Sequence, residues 1–137
     1  TYEFMLAGIR MIVPQLLLEP SPTGVYVSQD DNNYWTVTEE EFDLLRAWDG
    51  TDLELYVADR YDCENFAKTF QSRLALKAGA NCAAYVRDWS GGHAYNLVVC
   101  HDGKGGPVPF LYEPQSDQRV LLNSSPLYKL TWASIEV

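Results

Sequence analysis

Hydrophobic and polar residues alternate along this chain with two different periods, and the change from one to the other divides it. Phe66, Phe70 and Leu74 recur every fourth residue, with Ala67 and Ala78 widening the stripe, while Lys68, Gln71, Ser72 and Lys77 lie mostly off it. That spacing predicts a helix beginning at Cys63, capped by Asp62 and stopped by Gly79. Past Gly79 the period falls to two. Residues 82–86, 93–100 and 108–113 read as strands, with a possible fourth over 130–137. The turn 102–106 joins the second strand to the third.

Upstream the pattern is less regular. Thr38 and Glu41 have capping-box spacing, and Phe42, Leu45 and Trp48 follow at helical intervals to a stop at Gly50. Residues 25–27 and 34–37 flank a polar run, which predicts a hairpin or two strand fragments. Residues 19–24 hold two prolines and a glycine and read as a loop. Residues 2–18 read either as a helix ending at Pro14 or as two short apolar segments. One strong helix followed by several antiparallel strands is an α+β layout.

Composition narrows the function classes. At 137 residues, 47% hydrophobic and 13% aromatic, the chain has material for one domain with its own core. The net charge of −9 argues against a phosphate-tracking nucleic-acid binder. No apolar run is long enough for a membrane span and no signal-peptide pattern opens the chain, so no membrane partner is expected. Three cysteines, Cys63, Cys82 and Cys100, form neither a disulfide framework nor a zinc pattern. They read as reduced thiols, which favours a reducing compartment.

One cysteine stands apart. Cys63 sits in the first helical turn, where unpaired N–H groups and the helix dipole favour a thiolate and can hold an oxyanion. His93 opens a strand after Gly91-Gly92, and Glu113 ends the next strand. If those strands are hairpin neighbours, Glu113 comes beside His93. The order Cys63, His93, Glu113 then has the nucleophile, base and orienting acid of thiol acyl transfer. Trp89 and Tyr95 flank His93 and are candidates to line a substrate cleft. Asn96, three residues past His93, falls on the opposite face of the strand.

The runs Tyr61-Asp62-Cys63-Glu64-Asn65-Phe66-Ala67, Gly91-Gly92-His93-Ala94-Tyr95-Asn96 and Tyr112-Glu113-Pro114-Gln115 carry a resemblance. Together they resemble the papain-like cysteine protease domain at the C-terminus of the chimeric fungal agglutinins, the Marasmius oreades agglutinin type. Similar domains occur in bacterial and phage proteins. The resemblance covers residues 55–120 and leaves 1–50 as an N-terminal elaboration of a single domain over 1–137. It implies a papain-like fold, with the nucleophile-bearing helix packed on a small antiparallel sheet. It implies a cysteine peptidase acting on a peptide or protein substrate through Cys63, His93 and Glu113. It also implies activation by Ca2+ or Mn2+, with Glu64, Asn65 and Gln115 at the ligand positions. Asn65 replaces a carboxylate of the family there, although amide oxygens do bind calcium.

Two other readings accompany it. Transglutaminase-like or amidase-type acyl transfer uses the same three residues and differs in the acceptor. A non-catalytic binding or structural module of a larger assembly, such as a phage particle, would keep the fold and use the cleft only to bind.

Overall fold

Strict alternation along residues 93–101 organises the molecule. In the computed structural model, which describes residues 1–137, this segment is the central strand of a sheet with helices on both faces. Tyr95, Leu97 and Val99 point to one face, and Ala94, Asn96, Val98 and Cys100 to the other; all seven are buried.

The elements in chain order are α1 (Tyr2–Ile12), β1 (Val25–Ser28), α2 (Glu39–Asp49), a 3-10 turn (Thr51–Leu53), α3 (Cys63–Ala78), β2 (Ala83–Asp88), β3 (His93–His101), β4 (Pro107–Glu113), β5 (Gln118–Val120) and β6 (Ala133–Glu136). The strands lie in the order β1-β6-β2-β3-β4-β5. Five of the six run as antiparallel neighbours, and β1 joins β6 in parallel, with Val25 opposite Ala133 and Val27 opposite Ile135.

This corrects the expected fold. In place of a small antiparallel sheet under one helix, the chain forms a six-stranded mixed sheet with three α-helices distributed over its two faces. The expected hairpin over 25–37 does not form. The edges of Val25 and Val27 are taken by β6, and residues 35–37 run beside other partners. Trp35 O accepts from Asn81 N–H at 3.1 Å and Val37 O from His101 N–H at 2.9 Å.

The larger core lies between the sheet and α1. It joins Met5, Leu6 and Ile9 of α1 to Val86, Tyr95, Leu97 and Val99, and extends to Tyr128 and Leu130. Gly8 lets α1 approach, since a Cβ there would stand 2.5 Å from Val99 Cγ1. The opposite core holds α2 and α3 against the sheet. Phe42 is fully buried at its centre, with edge-on rings of Phe70, Phe110 and Tyr112 at 5.9, 5.0 and 5.3 Å. Both helices end as the sequence predicts, at Gly50 and Gly79 in the left-handed conformation. No helix is long and apolar enough to cross a membrane.

Candidate functional site

Three chain segments converge where the start of α3 meets the end of β2 and the start of β3. A cavity of about 180 Å³ opens there, lined by Cys63, Glu64, Arg87, Trp89, Gly92 and His93, among others. The sheet register explains the meeting. β2 and β3 pair antiparallel with Asp88 opposite His93, so the Trp89–Gly92 turn lies at the same end of the sheet as His93. Helix α3 packs on this part of the sheet through Ala67, Tyr85 and Ala94, which brings Cys63 to the rim.

His93 is fixed from behind. Its Nε2 lies 2.6 Å from Glu113 Oε2, with the two side chains only 10% and 7% exposed. Glu113 Oε2 also accepts the Tyr128 hydroxyl at 2.9 Å, and Glu113 Oε1 accepts the Gln115 N–H at 3.1 Å. Three partners thus converge on one buried carboxylate. Nε2 is the ring nitrogen that faces Glu113, so a ring protonated there donates to the carboxylate.

Cys63 does not sit as its position in the helix implies. Burial pushes its thiol above the ordinary value, and the charges of Asp62 and Glu64 push the same way; backbone groups of Ala94 and Glu64 offset only part of this. The helix dipole argument favoured a thiolate, but desolvation and two neighbouring carboxylates favour the neutral thiol. Cys82 and Cys100 are free and fully buried, and desolvation raises them to about 11 and about 12.

The other residues singled out from sequence divide. Trp89 lines the cavity. Tyr95 lies beneath it, fully buried, with its hydroxyl donating to Asp88 Oδ2 at 2.9 Å. Asn96 lies on the opposite face, where its amide donates to Ala67 O at 3.0 Å and Ala84 O at 3.2 Å. Glu64 Oε1 is 3.9 Å from Arg87 Nε, and Asn65 Oδ1 accepts the Asp62 N–H at 3.2 Å as part of the helix cap. No three His, Cys, Asp or Glu side chains are grouped to hold a metal ion. Of the residues the resemblance puts at a metal, Glu64 thus faces Arg87 and Asn65 is engaged in the helix cap.

Sequence reasoning missed Arg87, Asp88 and Tyr128. Asp88 lies past the predicted strand 82–86, and nothing local marks it as buried. Tyr128 belongs to no periodic element, so nothing in its neighbourhood marked it.

The fold is shared with solved structures. The PSL1a–E64 complex superposes with a TM-score of 0.63 at 19% identity, over 96% of this chain and 49% of that one. Polyporus squamosus lectin bound to the human-type influenza-binding epitope Neu5Aca2-6Galb1-4GlcNAc superposes with a TM-score of 0.57 at 20% identity, over 79% of this chain and 42% of that one. This chain therefore spans less than half the length of either. No protein-family model matches the chain, and no curated protein does.

These findings correct the assignment to a papain-like cysteine protease, and with it the expected peptidase or acyl-transfer activity. The neighbour named for what it does is a lectin. The environment of Cys63 agrees, because burial and acidic neighbours disfavour the thiolate such chemistry uses.

Proposed function

We propose that this chain is a non-catalytic binding module of a larger assembly, and that its ligand is a neutral glycan held in the cavity beside Trp89. One observation carries the reading. The cavity combines an indole with a carboxylate, a guanidinium and an imidazole at its lining, while its one thiol is held neutral. A sugar ring presents an apolar C–H face and a rim of hydroxyls. An aromatic face with a few convergent polar groups is complementary to both.

Charge selects among glycans. The chain carries −9, and Glu64 stands at the cavity. An anionic sugar would meet an unfavourable field, with Arg87 as the nearby counter-charge. Polyporus squamosus lectin is bound to Neu5Aca2-6Galb1-4GlcNAc, and this chain matches 42% of that protein's length. The proposal therefore takes the ligand class from that neighbour and the preference for neutral sugars from this cavity. We propose likewise that residues 1–137 act as one domain.

The test is a panel of neutral and sialylated oligosaccharides measured by calorimetry and saturation-transfer NMR. The expected result is binding of neutral members, with Trp89→Ala weakening it by tenfold or more, equivalent to about 1.4 kcal/mol. Absence of binding at millimolar concentration, or binding unaffected by Trp89→Ala, overturns the proposal.

A further inference from the structure

The lining of the cavity also includes a buried carboxylate, Asp88. Asp88 is 1% exposed and accepts five hydrogen bonds. Its Oδ1 takes the Ser90 hydroxyl and the Gly91 N–H, the latter at 3.1 Å. Its Oδ2 takes the Tyr95 hydroxyl and the N–H groups of Lys129 and Leu130, each at 2.9 Å. The adjoining turn, strand β3 and the distant 129–130 segment are thus tied to one side chain.

The tie extends in two directions. Toward the surface, Ser90 Oγ accepts from Thr131 N–H at 3.1 Å and Trp132 N–H at 3.3 Å. This sets the Trp132 ring against Trp89, with centroids 5.1 Å apart and planes tilted by 40°. Toward the interior, Tyr95 packs edge-on against Tyr128 at 5.1 Å, and Tyr128 shares Glu113 Oε2 with His93. The 127–130 segment also closes on Gly91, where a Cβ would stand 2.1 Å from Leu127 O.

We infer that Asp88 is a positioning residue for the cavity, holding the 127–132 segment against the 89–92 turn so that Trp89 and His93 keep their places at the same time. All five partners are donors, and a carboxylate suits this task because its two oxygens offer several acceptor sites each. Asparagine has nearly the same shape but puts an NH2 group where at least two donors already point. The inference rests on the proposed binding function for its consequence, and on the hydrogen bonds alone for its geometry.

The experiment compares Asp88→Asn with Val86→Ala, a buried change on the same strand that leaves the tie intact. Two spectroscopic signals are read well below both melting temperatures. One is the far-ultraviolet exciton couplet of the tilted, closely packed Trp89–Trp132 indoles. The other is the downfield proton of His93 Nε2–H. Asp88→Asn is expected to lose at least half of the couplet and to shift or broaden the His93 proton, with glycan affinity falling tenfold or more; Val86→Ala keeps both signals. Ser90→Ala, at an exposed position, is expected to reduce the couplet while leaving the His93 proton in place. Retention of both signals in Asp88→Asn, or their equal loss in Val86→Ala, overturns the inference. Should Asp88→Asn fail to fold, an unchanged couplet in Ser90→Ala overturns it. A wild-type protein that binds no glycan sinks the proposed function, while the two signals still judge the role of Asp88.

Discussion

Glu113→Ala is the perturbation that reaches deepest into this site. Glu113 is 5% exposed and accepts from His93, Tyr128 and the Gln115 N–H at 2.6, 2.9 and 3.1 Å. Removing the carboxylate leaves two buried side-chain donors and one backbone donor without a partner. Each buried group left unsatisfied costs about 1–3 kcal/mol. The contributions overlap, so the expected loss is about 3–5 kcal/mol. For a chain of this length that lowers Tm by roughly 10–20 °C. Glu113→Gln keeps the shape and one carbonyl acceptor, and the Tyr128 hydroxyl can turn to accept from the new amide. Its expected cost is about 1–2 kcal/mol. Urea titrations give both values, and 15N spectra report which His93 nitrogen holds the proton. In the wild type Nε2–H donates to Glu113; in Glu113→Ala that preference is lost. A cost below about 1 kcal/mol for Glu113→Ala, with the His93 tautomer unchanged, refutes the reasoning.

Three further outcomes are expected. Stability falls on the alkaline side, because the folded-state pKa values of Cys82 and Cys100 are raised to about 11 and about 12. Both thiols contribute fully below about pH 9 and lose that contribution as pH rises toward 11–12, at up to about 1.4 kcal/mol per thiol per pH unit. Melting curves from pH 8 to 10.5 show this slope, and a profile equally steep in the Cys82→Ala, Cys100→Ala double variant contradicts it. Gly91→Ala drives a Cβ to within 2.1 Å of Leu127 O, so the variant must move the backbone, at a cost of about 2–3 kcal/mol or more in denaturation. Calcium or manganese at Glu64, Asn65 and Gln115 is a proposal of the sequence resemblance alone. Binding at 100 times Kd adds about 2.7 kcal/mol, and a flat Tm across both titrations withdraws it.

The sequence specifies structure locally wherever a cap or a period suffices by itself. The Thr38–Glu41 box forms with both hydrogen bonds, at 2.8 and 3.2 Å, and Phe66, Phe70 and Leu74 are the buried face of α3. The pairing of β3 with β4 follows from their short connection and brings Glu113 to His93. What escaped was set by distant partners. The parallel pairing of β1 with β6 joins residues more than a hundred positions apart, and no turn signals it. The three-residue β5 is too short to show a period. The protease reading failed at a similar point. Three short motifs located a cysteine, a histidine and an acid, but the state of a thiol depends on burial and on the charges of Asp62 and Glu64 around it.

Cys63 itself gives the most direct measurement. Its labelling by iodoacetamide at pH 6, followed by mass spectrometry against free cysteine, reads how much thiolate the cavity holds. A binding module whose half-buried thiol is pushed above its ordinary pKa is expected to label at Cys63 no faster than free cysteine. Complete and selective labelling of Cys63 within minutes, suppressed by His93→Ala, would contradict the account and return the cavity to nucleophilic chemistry.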